Sequence, residues 1–192
     1  MRARSSFVVG LLLAAGPALA RPAKTAAPAE VGPTAEQLTS SVTPDGLLEV
    51  KVDLDRDGKA EIVNFYRERA DTPRLLVRKD TDLNRDGRID VRAEFDDSGQ
   101  RVTEHMDGDF DGRADWVDHY INGKRTVSDI DTDFDGTFDL HKYYEQGVVR
   151  RKERDTNADG KTDFWEYLDP NGTVTKTGRD TDGDGKMDGP GQ

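Results

Sequence analysis

Apolar residues recur at alternate positions in five short runs: Ile62–Tyr66, Val91–Phe95, Trp116–Ile121, Leu140–Tyr144 and Phe164–Leu168. Count from the glycine four residues before each run. Offsets +4 and +8 then hold Ile62/Tyr66, Val91/Phe95, Trp116/Tyr120, Leu140/Tyr144 and Phe164/Leu168. Offsets +5 and +7 hold a mixed set: Val63/Phe65, Arg92/Glu94, Val117/His119, His141/Tyr143 and Trp165/Tyr167. A period of two predicts strands, because successive side chains of a strand point to opposite faces. Each run ends in a turn signal. These are Asp97-Ser98-Gly99, Asn122-Gly123, Gln146-Gly147 and Asp169-Pro170-Asn171-Gly172; the first run has a longer turn, Glu68 to Arg74, with Pro73 in it. A second, more polar run follows, such as Gln100–Glu104 or Thr173–Thr177. Asn-Gly between two such runs is a strong hairpin signal.

The glycines that precede the runs belong to a repeat. Asp-Gly pairs stand at 57–58, 86–87, 111–112, 135–136, 159–160 and 184–185, with spacings of 29, 25, 24, 24 and 25. A fixed period of this kind marks a repeat architecture. The connections on both sides of each strand are short, so successive strands should be antiparallel neighbours. The reading is all-β: a meander of hairpins, open or curled, with six loops on one edge and the turns on the other. The sixth loop has no strand-like run after it.

Each loop reads D-x-[DN]-x-D-G-x-x-[DE]. Position one is Asp53, Asp82, Asp107, Asp131, Asp155 and Asp180. Position three is Asp55, Asn84, Asp109, Asp133, Asn157 and Asp182. Position five is Asp57, Asp86, Asp111, Asp135, Asp159 and Asp184. Position nine is Glu61, Asp90, Asp115, Asp139, Asp163 and Asp188. Of these 24 positions 22 are acidic and the other two are Asn. In a tightly curled loop, oxygens at one, three and five point inward, and position seven offers its carbonyl. Position nine adds an oxygen, and Gly at six permits the sharp turn. Hard oxygen donors favour calcium over zinc or copper, and magnesium prefers a smaller shell that keeps its waters. An Asp-Gly turn needs no metal. It also needs no four acids in register, which repel one another unless a cation lies between them. The expectation is five or six calcium ions, with all 24 residues as ligands.

The nine-residue pattern resembles the calcium loop of EF-hands. It departs at the twelfth position, where a bidentate Glu is expected. That position holds Asn64, Ala93, Asp118, Lys142, Glu166 and Gly191, so only Glu166 fits. Strand patterns also replace the flanking helices. The loop is more similar to the β-hairpin calcium loops of integrin FG-GAP repeats, which also stop at position nine, although the propeller's blade period is longer. Thrombospondin type 3 repeats share the Asp-rich loops but carry disulfides, and dockerins have two copies and helices. The stretch Tyr120-Ile121-Asn122-Gly123-Lys124 resembles the hairpin repeats of MORN and YwqK-type proteins. Together these resemblances imply a calcium-binding Asp-rich repeat protein over residues 53 to 188.

Composition changes the picture at the chain's start. Arg2 and Arg4 precede a short apolar run from Phe7 to Ala15, closed by Ala18-Leu19-Ala20. This is the anatomy of a secretory signal peptide cut after Ala20, and the run is too short to span a bilayer. Residues 21–45 hold four of the eight prolines and show no apolar period, which predicts a flexible tether with at most a short helix around Thr34–Leu38. Residues 46–192 form the repeat domain. The expected location is the periplasm or the exterior of a bacterial-type cell, with no membrane-spanning segment in the mature chain.

Charged residues make up 35% of the chain and hydrophobic ones 33%, which excludes a large apolar core. There is no Cys, hence no disulfide, zinc-thiolate site or Cys nucleophile. A net charge of −11 excludes a generic nucleic-acid surface. Loss of the first twenty residues leaves 26 basic and 39 acidic residues, a net −13, and the 22 loop acids exceed that whole excess. His105, His119 and His141 fall in no metal or triad spacing and read as strand residues. The loops absorb the paired carboxylates that would otherwise suggest a glycosidase, so no enzyme is expected. The mixed face with Val63, Phe65, Val117, Tyr143, Trp165 and Tyr167 is either a second packed face or a surface for a partner or a second copy. The sequence therefore reads as an exported calcium-binding repeat protein with a structural or adhesive role. The alternative is a calcium-dependent recognition module for a carbohydrate or protein partner.

Overall fold

A computed structural model describes residues 33–190. The signal-peptide reading for residues 1–20, and the tether over 21–32, lie outside the described residues. Thirteen strands follow in chain order: β1 (Leu38–Val42), β2 (Leu48–Val52), β3 (Ile62–Arg67), β4 (Leu75–Thr81), β5 (Val91–Phe95), β6 (Arg101–Met106), β7 (Trp116–Ile121), β8 (Lys124–Ile130), β9 (Leu140–Glu145), β10 (Val148–Arg154), β11 (Phe164–Leu168), β12 (Val174–Arg179) and β13 (Gly189–Pro190). All lie in one sheet in sequence order, an antiparallel meander that does not close. The all-β meander expected from the alternation is what forms.

Two details differ from expectation. The segment read as tether holds a 3-10 turn at Ala35–Gln37 and all of β1, which pairs with β2 from Leu38↔Val52 to Val42↔Leu48. The connecting Thr43-Pro44-Asp45-Gly46-Leu47 is the same kind of turn as Asp96–Gln100 and Asp169–Thr173. In all three the first residue's N–H donates to the fifth carbonyl at 2.9 Å, and a positive-φ glycine sits fourth. The sixth loop is also followed by a strand. Gly189–Pro190 pairs with Gly178 and Arg179.

The turns set the register. Asn122-Gly123 (φ 51°, 70°) and Gln146-Gly147 (φ 52°, 83°) put two successive residues at positive φ, which matches the twist of a two-residue hairpin. A register shift sits near the turn in five hairpins, for example between His119 and Tyr120. At the opposite edge the loops are stitched together. The N–H of position one donates to the position-nine carbonyl of the preceding loop in five cases, at 2.7–3.0 Å. In the first loop Asp53 donates instead to the Gln37 carbonyl. The loops therefore follow one another at two strand spacings, about 10 Å.

Among the described residues there is no second layer of sheet or helix. Buried apolar residues stand on both faces: Val52, Ala93, Ile130, Leu140 and Leu168 on one, Val63, Phe65, Val117 and Trp165 on the other. The mixed face is thus a packed face. Over its rings lie cations of the neighbouring strands, with the charged group itself on the ring face. Arg78 stacks 3.6 Å from the centroid of Phe65, and Arg151 lies 3.9 Å from that of Tyr143. On the first face Arg125 lies between Tyr120 and Tyr144, Lys142 over Trp116 and Arg179 over Phe164. Each such contact contributes roughly 0.5–2 kcal/mol.

The most buried side chains are polar. Asp118 and Ser128 are 1% and 0% exposed, directly opposite on β7 and β8. Asp118 accepts from Ser128 Oγ (2.5 Å) and Trp116 Nε1 (2.8 Å), and pairs with Arg125 (2.9 Å). Burial lowers the Arg125 pKa, but hydrogen bonds to Tyr120 and Tyr144 and the charge of Asp118 outweigh it, and the net shift is upward. Tyr120 Oη also donates to Asp118 at 3.4 Å, so Asp118→Ala leaves four donors facing an empty centre. It should cost about 3–5 kcal/mol in chemical denaturation, the range for breaking a buried charge pair, whereas substitution of exposed Thr175 should change little.

Candidate metal centres

The carboxylates shape the loops before any ion is considered. The position-one Asp accepts twice. Its Oδ2 takes the position-six glycine N–H at 2.6–2.9 Å in all six loops. Its Oδ1 takes the position-four N–H at 2.6–2.8 Å in five of them. The position-nine carboxylate takes the position-two N–H at 2.5–3.0 Å throughout. The position-five Asp caps the position-seven N–H at 2.7–2.9 Å. Position nine also donates its own N–H to the residue just before the loop in the second to sixth copies, which closes the base.

This curl forces positive φ at two places. Gly at position six has φ of 82–97°. Position four also lies in the left-handed region, although it holds Arg56, Arg85, Phe110, Phe134 and Ala158, with φ of 59–67°. Only the sixth loop has a glycine there, Gly183. The sequence pattern carried no sign of position four, since its residue type varies.

Carboxylate oxygens converge in four loops. Each group lies within 4.8 Å: Asp53, Asp55, Asp57 and Glu61; Asp107, Asp109 and Asp115; Asp131, Asp133 and Asp139; Asp180, Asp182 and Asp188. A cation with oxygen contacts of about 2.4 Å holds ligands no more than about 4.8 Å apart, so each group fits one ion. The donors are all hard oxygens, which suits a divalent cation of that class. Position five joins the group only in the first loop. In the third and sixth loops Asp111 is held by Arg113 and Asp184 by Lys186, and in the fourth Asp135 accepts the Thr137 N–H. In the second and fifth loops, Asn84 and Asn157 stand at position three and donate to Asp86 and Asp159 at 3.2 and 3.3 Å. Asp82, Asp90 and Asp163 keep the same backbone partners as their counterparts, and Asp155 keeps the position-six N–H while its Oδ1 accepts from the Asn157 and Asp159 N–H groups. None of these groups includes a histidine. His119 and His141 share Asp129 at 3.0 and 2.6 Å, across β7, β8 and β9.

The clustering registers in the acidities. At Asp133, desolvation and then the charges of Asp135, Asp139 and Asp131 push the carboxyl up. At Asp109 the Asp111 N–H pulls down, but desolvation and the carboxylates of Asp111, Asp115 and Asp107 outweigh it. At Asp188 hydrogen bonds from Thr181 hold the carboxyl low.

Basic side chains strap one loop to the next at four of the five junctions. Lys59 donates to the Asp86 carbonyl (3.3 Å), Arg113 to that of Asp135 (3.3 Å) and Lys161 to that of Gly183 (2.7 Å). Arg88 lies against Gly112. Arg85 reaches back to Asp55 at 3.0 Å.

No family model and no curated protein matches the chain. A solved structure, "Crystal structure of accessory secretory protein 1,2 and 3 in Streptococcus pneumoniae", is similar at 14% identity with a TM-score of 0.34, over 62% of this chain. The matched part is 19% of that protein's chain, and a likeness this distant carries no argument.

A raised Asp pKa means the folded metal-free state favours the protonated form. That contribution is present below the ordinary value of 3.8 and is lost as pH rises through the raised value. Asp133→Asn mimics the protonated group. At neutral pH it should raise the melting temperature of metal-free protein and weaken binding of a divalent ion at the fourth loop, by roughly tenfold. Melting with and without metal reads both signs.

Proposed function

We propose that this chain is an exported, non-enzymatic calcium-binding protein in which the ions serve as structural parts of the sheet edge. The observation that carries this reading is the convergence of positions one, three and nine in four loops on a scaffold that all six share. The full count proposed is five or six calcium ions, with Asn84 and Asn157 supplying carboxamide oxygens in the second and fifth loops. Calcium is favoured over magnesium because its shell tolerates many protein oxygens at variable geometry. The signal-peptide pattern at residues 1–20 supports export to the periplasm or exterior, where calcium is plentiful.

The sheet stands to gain stability from the ions. With free calcium ten times above Kd, each occupied site adds about 1.4 kcal/mol. A sheet without a second layer gains from every such increment. The role is then structural or adhesive, a stiff calcium-loaded strip. A second reading, a calcium-dependent recognition module for a protein or polysaccharide partner, is favoured by one observation: a cleft interrupts the row of loops between the fourth and fifth copies.

Calorimetric titration of metal-free protein with calcium, followed in parallel by circular dichroism, should give five or six sites and a gain in ordered strand signal. Magnesium should bind more weakly. A stoichiometry of zero or one would refute the proposal.

A further inference from the structure

The loops are not equivalent in how they meet. At four of the five junctions, position seven of one loop is basic and its side chain lies against the Asp-Gly of the next. Lys59 covers Gly87, Arg88 covers Gly112, Arg113 covers Gly136 and Lys161 covers Gly185. At the remaining junction position seven is Thr137, and nothing lies within 4 Å of where a Cβ on Gly160 would be. Thr137 is exposed and too short to reach.

The missing strap leaves space. The cleft between the fourth and fifth loops has a volume of about 740 Å³, against about 350 Å³ for the corresponding cleft between the fifth and sixth, where Lys161 is seated. Ala158 and Asp159 line the larger cleft. Their carbonyls correspond to those of Gly183, which accepts Lys161, and of Asp135, which accepts Arg113. Leu140 gives the cleft an apolar wall suited to methylene groups. Arg154 also lines it and pairs with Glu166 at 3.4 Å. That cation does not bar a second one, since its counterpart Arg179 lines the smaller cleft together with Lys161.

Acidic lining alone would point to no ligand. The cation that occupies the same place at sibling junctions does. We infer that the cleft between the fourth and fifth loops binds a cationic side chain of a partner polypeptide, a lysine- or arginine-type group on an aliphatic stem. The group takes the place held elsewhere by the position-seven strap. The acceptors are backbone carbonyls, so the site stands whether or not the loops hold ions. With an ion in each, the fourth loop's four carboxylates still leave it negative, while the fifth loop's three are balanced by the ion and Lys161.

The test is NMR titration of 15N-labelled protein with Gly-Lys-Gly and Gly-Arg-Gly, and with Gly-norleucine-Gly as the uncharged control, in calcium and again with chelator. Saturable shifts confined to the amides of Thr137, Ala158, Asp159 and Gly160 are expected with the two cationic peptides. Thr137→Lys and Thr137→Arg should restore the strap and abolish the shifts. Thr137→Ser should keep them, with unchanged circular dichroism in all three. Equal shifts in all six loops, equal binding of the norleucine peptide, binding that survives Thr137→Lys, or no shifts at these amides would each overturn the inference. Calcium stoichiometry is measured separately, so failure here is distinct from failure of the calcium reading.

Discussion

Mutual repulsion among carboxylates gathered along one sheet edge governs the rest of this structure. In four loops their oxygens lie within 4.8 Å of one another, a separation at which like charges repel strongly even near water. The chain offsets part of this with its own donors. Backbone N–H groups at positions two, four, five, six and seven point at the carboxylates, so that much of each loop is a set of side-chain-capped turns. Basic residues at position seven then tie adjacent loops together. These devices spread the charge without cancelling it, as the raised acidities of Asp109 and Asp133 show. On the calcium reading proposed above, a divalent cation at each loop would complete the neutralisation.

The same constraint explains how a sheet with no second layer among the described residues is built. A chain so rich in acid has little apolar material left for a second layer. Its strands use cations instead, placing Arg guanidinium and Lys ammonium groups over Phe, Tyr and Trp on both faces. The deepest point is accordingly an ion-pair hub at Asp118 and Ser128, not a cluster of aliphatics. Adjacent strands hold each other through register, and register is held at both edges, by positive-φ turns on one side and stitched loop bases on the other.

Much of this was legible in the residues. Alternation from Ile62 onward and a period near 24 specified a meander, because both follow from local geometry. The loop ligand pattern was legible for the same reason. β1 was not, since Leu38–Val42 lacks apolar alternation of its own and is ordered by pairing with β2. Its one local signal was Pro44-Asp45-Gly46, a turn of the type seen again at Asp169–Thr173. The packing of Phe65 and Tyr143 was hidden because their cover, Arg78 and Arg151, reads as solvent-facing polarity. The break at Thr137 becomes visible only when side chains cross from one repeat to the next.

The central claim is that cations at the loops hold the sheet in place. Amide hydrogen exchange, compared in calcium and in chelator, tests it most directly. The account predicts that protection at the position-six glycines and at the loop-side ends of the strands falls sharply when calcium is removed, with the turn-side ends less affected. Identical protection in both conditions would contradict it.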